Sequence, residues 1–157
     1  MHFPIIQLST EPLSPEEFAS EEYYYDDVIV EANSDYISGV MEKERRKEFI
    51  RERLPEILEG LAIVNADNET VTVLPEKDIR HSLRDALRHV LDSFEQRFRE
   101  GRLSHDDVRI DAKEYNGHNA LFTINGSGAY TASAFAETLA CYDDRTLHVG
   151  SVVWAHY

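Results

Sequence analysis

Three kinds of chemistry are open to the residue types in this chain, and each can be tested by spacing. The first is nucleophilic. Cys141 is the sole thiol, and His118 and His148 are the imidazoles that would have to activate it, with Tyr130 as a nearby hydroxyl. A cysteine nucleophile needs an imidazole within hydrogen-bond reach and a lowered thiol pKa. No spacing establishes that pairing. Cys141 lies in an apolar run with Leu139, Ala140 and Tyr142, so a buried, inert thiol is expected. The second kind is metal binding. His105, Asp106, Asp107 and Asp111 gather an imidazole and three carboxylates, an oxygen-rich set of the sort that suits Mg²⁺ or Mn²⁺. No EF-hand pattern, H-E-x-x-H or Cys/His zinc spacing accompanies it, so neither a metal nor another cofactor is expected.

The third kind is anion binding. Gly126, Ser127 and Gly128 in "NGSGAYT" could turn backbone N–H groups toward an anion ahead of a helix. The stretch lacks the lysine of a P-loop and the glycine spacing of a dinucleotide site, and a plain strand-to-helix turn is expected. Arg80, Arg84 and Arg88 fall at i, i+4 and i+8, with Lys77 one turn earlier. That stripe could hold a phosphate, an acidic partner or the chain's own N-terminal acids. Asp78, Asp85, Asp92 and Glu95 lie close enough to pair with parts of it.

The most unusual stretch is "EEYYYDD". Glu21, Glu22, Asp26 and Asp27 enclose Tyr23, Tyr24 and Tyr25. Tyrosine supplies contact area at interfaces, and flanking carboxylates steer a basic partner toward it. On a strand, Tyr23 and Tyr25 would share one face and Tyr24 the other. The stretch belongs to a larger asymmetry. Residues 1–42 hold ten acids and no Lys or Arg, so −10 of the net charge of −14 resides in the first quarter of the chain. An acidic block of this kind points to an interaction segment. Disordered acidic tails lack aromatic and branched aliphatic residues, whereas Phe3, Ile5, Ile6, Leu8, Phe18, Val28, Ile29 and Val30 are interleaved here. The segment is therefore expected to fold onto the rest of the chain.

A length of 157 residues fits one domain over 1–157. The strong negative charge disfavours direct contact with nucleic acid or anionic lipid. No run approaches the roughly 18 apolar residues of a membrane helix. "MHFPIIQLSTEP" has no positive leader and long apolar core, so no signal peptide is expected. A single cysteine adds no disulfide. A cytoplasmic setting is the expectation.

The elements that must position these residues follow from periodicity and punctuation. Residues 3–9 read as a strand. Ser14-Pro15-Glu16-Glu17 opens a helix over 15–21. The β-branched run 27–32 reads as a strand, and Asn33-Ser34-Asp35 as a turn. Helix is expected from there to Gly60, broken, kinked or restarted at Pro55. Residues 61–65 and 69–75 form a hairpin. A long amphipathic helix, with Ile79, Leu83, Ala86, Leu87, Val90, Leu91, Phe94 and Phe98 as its stripe, ends at Gly101. Asn116-Gly117 joins 106–115 to 118–124 in a second hairpin. Residues 129–142 read as helix, with strand as the alternative, and 146–157 closes the chain as a strand.

Together these predict an α+β fold: an antiparallel sheet of about four to six strands, built from two hairpins and the terminal strands, with two or three helices on one face. The leading functional expectation is a non-enzymatic acidic binding or inhibitor module for a basic protein surface. A nucleic-acid-binding protein is one such partner, since its groove accepts a dense line of negative charge. The alternatives are a small hydrolase or anion-binding enzyme with a cleft near 118–148, and a homo-oligomer joined through edge strands or the terminal "VVWAHY".

Overall fold

Residues 2–102, 120–142 and 145–156 are described by a computed structural model. The first strand, β1 (His2–Ser9), alternates cleanly: Phe3 and Ile5 enter one apolar cluster, Ile6 and Leu8 the other. The expected helix over 15–21 is only a 3-10 turn, Pro15–Glu17. The Gln7 side chain explains the shortening. Its Nε2 donates to Glu17 O at 3.1 Å, and its Oε1 accepts from Ala19 N at 2.9 Å. A continuing helix would need both groups for itself.

A second 3-10 turn, Glu21–Tyr24, leads into α1 (Val28–Asn33). This corrects the strand expected over 27–32. Asp27 Oδ1 accepts the N–H groups of Ile29 and Val30 at 2.9 and 3.1 Å, capping a helix that β-branched residues would otherwise disfavour. The strand β2 (Tyr36–Val40) then lies where helix was expected. The helices α2 (Lys43–Glu52) and α3 (Leu54–Ile57) follow, with Pro55 in the first turn of α3, where its missing N–H costs nothing.

The strands β3 (Ala62–Val64) and β4 (Thr70–Val73) form the first expected hairpin, in register Ala62↔Val73. The long helix α4 (Glu76–Arg99) ends as read, with Gly101 at φ +64°. Of the second hairpin, 106–115 lies outside the described residues, and β5 (Leu121–Ile124) is what the other arm becomes. The last elements are β6 (Tyr130–Thr131), α5 (Ala132–Leu139), a 3-10 turn at Ala140–Tyr142 and β7 (Thr146–His156). Residues 129–142 are thus mainly helical.

Among the described residues the sheet has seven strands and is mixed, where four to six antiparallel strands were expected. Its order is β3-β4-β7-β1-β5-β6, with β2 also on β7. The exception to antiparallel pairing is β1 with β5, in register Ile5↔Leu121 to Leu8↔Ile124. Parallel neighbours need a long crossover, and here more than a hundred residues separate the two strands.

The expectation of helices on one face holds for α2 to α5. Ile50, Leu54, Ile79 and Phe135 pack with Ile6, Phe122 and Val152 on that side. The opposite face is also covered, by the acidic segment itself. Tyr24 and Val30 pack there against Phe3, Ile5, Leu121, Val153 and Ala155.

The strand β7 is central, with β1 along one edge. On its other edge β4 reaches Thr70↔His148 and β2 starts at Val40↔Val153, which leaves a gap between them. Opposite that gap the β1 register slips: Ile6 faces Val152 and Leu8 faces Val149, so Gln7 stands against both Gly150 and Ser151. This is a β-bulge, which bends a strand and breaks its ladder locally.

Candidate functional site

The three tyrosines of "EEYYYDD" take three different environments. Tyr24 is fully buried in the second-face cluster. Its hydroxyl lies beside Thr123 and Ser151 without completing a hydrogen bond, and burial pushes its phenol up to about 12. Tyr23 sets its ring edge-on to Tyr24 at 5.0 Å and donates its hydroxyl to Gly126 O at 2.6 Å. Tyr25 is 55% exposed, and its phenol is raised by partial desolvation and by the carboxylates of Glu21 and Glu22. The ring alternation expected of a strand is replaced by a 3-10 turn with the middle ring inside.

The acids divide in the same way. Asp27 is internal to the architecture: Oδ1 caps α1, and Oδ2 accepts the Ala129 N–H at 2.7 Å. Glu21 is half-buried, its carboxylate close to Gly39. Glu22 and Asp26 are exposed, as is Glu31 on α1. Val28, next to Asp27, is 73% exposed, whereas Tyr36 stacks on His156 at 4.8 Å, on the other side of the sheet from Ile37. No residue of 1–42 takes part in an ion pair with a base among the described residues.

The turn at 125–128 meets this segment directly. Asn125 and Gly126 both have positive φ, 51° and 70°, and Asn125 Oδ1 accepts from the N–H and hydroxyl of Thr10 at 2.8 and 3.1 Å. Ser127 Oγ accepts the Ile124 N–H at 3.2 Å. Immediately after Gly128, the Ala129 N–H goes to Asp27. The carboxylate that meets this turn is therefore the chain's own. The arginine stripe is elsewhere. Arg80 pairs with Glu76 at 2.6 Å, and Arg84 and Arg88 are exposed. No bond joins the stripe to the acidic segment among the described residues.

No protein-family model, curated protein or solved structure matches this chain.

Only part of the catalytic set falls among the described residues. His118, His105, Asp106, Asp107 and Asp111 lie outside the described residues. Cys141 is exposed, which corrects the buried thiol expected from its apolar neighbours. It sits on the 3-10 turn after α5, where Leu139 takes the inward position. Tyr130 packs at the margin of the helix-side cluster, and His148 lines a cleft with Glu69. No hydrogen bond or ring contact links Tyr130, Cys141 and His148. Among the described residues no three His, Cys, Asp or Glu side chains could hold a metal ion, and no helix is long and apolar enough to cross a membrane.

Sequence reasoning missed one feature, the cleft of about 570 Å³ over the gap between β2 and β4. Arg46 on α2 lies in it, only 8% exposed. Its Nε donates to Gly150 O and its Nη2 to Val149 O, carbonyls at the bulge. The guanidinium carbon stands 4.9 Å from the centroid of the Phe18 ring. A signal was available: Arg46 precedes Phe49 and Ile50 at i+3 and i+4, the spacing of the buried face of α2.

Proposed function

We propose that the chain is a binding module whose acidic layer, carried on the second face of the sheet, docks a basic protein surface. The observation that supports this best is the uncompensated charge. Ten acids in 1–42 meet no Lys or Arg within the segment and no ion pair from the rest of the described residues. Solvated carboxylates beside exposed Tyr25 and Val28 offer both long-range steering and apolar contact area. The docking residues are Glu22, Tyr25 and Asp26. Tyr24 and Asp27 hold the layer in place, and Tyr23 and Glu21 border it. A nucleic-acid-binding protein is a suitable partner class, because the phosphate groove it carries accepts closely spaced negative charge.

The test is capture on immobilised protein, wild type against the Glu22→Lys/Asp26→Lys variant, with bound proteins identified by mass spectrometry. Capture by the wild type alone, displaced by duplex DNA, is the outcome that fits a groove-binding partner. Equal capture by both proteins removes the acidic layer from the function.

Self-association is a second reading, favoured by α4. Leu91 and Phe98 on its apolar stripe are 56% and 73% exposed. The terminal "VVWAHY" is less suited to that contact, since Val152, Val153 and Ala155 are buried on the central strand β7.

A further inference from the structure

The position of Arg46 raises a question that the bulge does not answer. A buried cation is costly unless it is paired and hydrogen-bonded. Two carbonyls satisfy two of the five N–H donors of the guanidinium. No carboxylate of the described residues forms an ion pair with it, although the chain has 30 acids against 16 Lys and Arg. Glu69 shares the cleft, near enough to favour the charge electrostatically but not bonded to it. The surroundings add cations: Lys43 and Lys47, one turn apart on α2, also line the cleft. Lys47 leans on exposed Glu44 at 3.6 Å. In a molecule this acidic, three bases around one cleft run against the overall charge. The rest of the lining includes an apolar part, formed by Leu13, Phe18 and Met41.

We propose that this cleft binds a small amphipathic carboxylate, with its anionic end at Arg46, Lys43 and Lys47 and its apolar body against Leu13, Phe18 and Met41. Several features support the assignment. The free N–H groups of a guanidinium suit a carboxylate. The volume lies within the usual range for small-molecule sites, roughly 300–1,000 Å³. The apolar wall gives a body of aliphatic or aromatic carbon a reason to bind, which inorganic phosphate lacks. The site is separate from the acidic docking surface and does not depend on it.

The test uses the full chain and a fluorescent amphipathic anion, anilinonaphthalene sulfonate, as reporter. A single saturable site is expected, with octanoate displacing the reporter and neither octanol nor inorganic phosphate doing so. Lys43→Gln/Lys47→Gln should weaken octanoate about tenfold, with thermal unfolding unchanged, because both side chains sit at the rim. Leu13→Glu should weaken it at least as much by placing a carboxylate on the apolar wall. Arg46→Met is less clean, since it also leaves the bulge carbonyls without a donor. Equal competition by octanol and octanoate overturns the anionic end of the proposal. Equal competition by phosphate overturns the apolar end. Reporter binding that neither substitution affects overturns the site itself.

Discussion

At the scale of single residues, Asp27 and Asp26 are neighbours of one type with opposite duties. Asp27 caps α1 and also holds the Ala129 N–H, whereas Asp26 is exposed. Asp27→Ala should cost about 2–4 kcal/mol, from a lost cap and a lost charge-assisted hydrogen bond. Asp26→Asn should stay within about 0.5 kcal/mol of wild type. Urea denaturation monitored by circular dichroism separates the two. Tyr24 predicts a pH effect. Its phenol is held neutral by burial up to about 12, against an ordinary value of 10.0. A pKa raised by folding contributes stability that is intact below the unfolded value and is lost as pH climbs through the folded one. Stability should therefore fall between about pH 10 and 12, and Tyr24→Phe should flatten that fall, measured as melting temperature against pH. At neutral pH the same substitution should be close to neutral, because the hydroxyl completes no hydrogen bond. The run of acids and rings was visible from the sequence. Its division into inward and outward members was not, because Thr123, Gly126, Ala129 and Ser151 lie about a hundred residues or more further along the chain.

At the scale of elements, the long-period signals were readable: β1, the β3–β4 hairpin, α4 and β7 all follow from periodicity and turn chemistry. The failures came where a single side chain's hydrogen bonds, or an open sheet edge, overrode local preference. The Gln7 side chain took the hydrogen bonds that would have extended the helix after Pro15. The Asp27 cap turned a β-branched run helical. The strand β2 exists because the exposed length of β7 offered an edge. The bulge that positions the cleft is the least readable of these, since two strands far apart in sequence must slip against each other. It makes a direct prediction. A Cβ at Gly150 would come within 2.7 Å of Gln7 Cδ and 2.8 Å of Leu13 Cδ1. Gly150→Ala should therefore destabilise by about 1–3 kcal/mol, seen as a lower urea midpoint with unchanged slope. On α4 the expected stripe formed, but much of its C-terminal half stayed exposed. Leu91→Glu/Phe98→Glu should leave stability nearly unchanged. If self-association uses this helix, the double variant should shift light-scattering mass to that of one chain.

At the scale of the whole molecule, the charge asymmetry became a layered arrangement. The helices cover one face of the sheet, and the segment bearing most of the net negative charge covers the other. Among the described residues Lys47, Arg51, Arg53, Arg80, Arg99 and Arg102 pair with acids close by in sequence, and no Lys or Arg pairs with an acid of 1–42. The acidic layer is therefore left facing solvent, and the reading of the protein as a docking module rests on that. Attraction between such a layer and a basic surface weakens as salt screens it, over a length of about 8 Å at physiological ionic strength. The most direct measurement is the affinity of the captured partner at rising salt, for wild type and for Glu22→Lys/Asp26→Lys. The wild type should weaken steadily with salt, and the variant should bind roughly tenfold less tightly at low salt with a flatter dependence. Affinity that ignores salt, or that is the same for both proteins, would contradict the account.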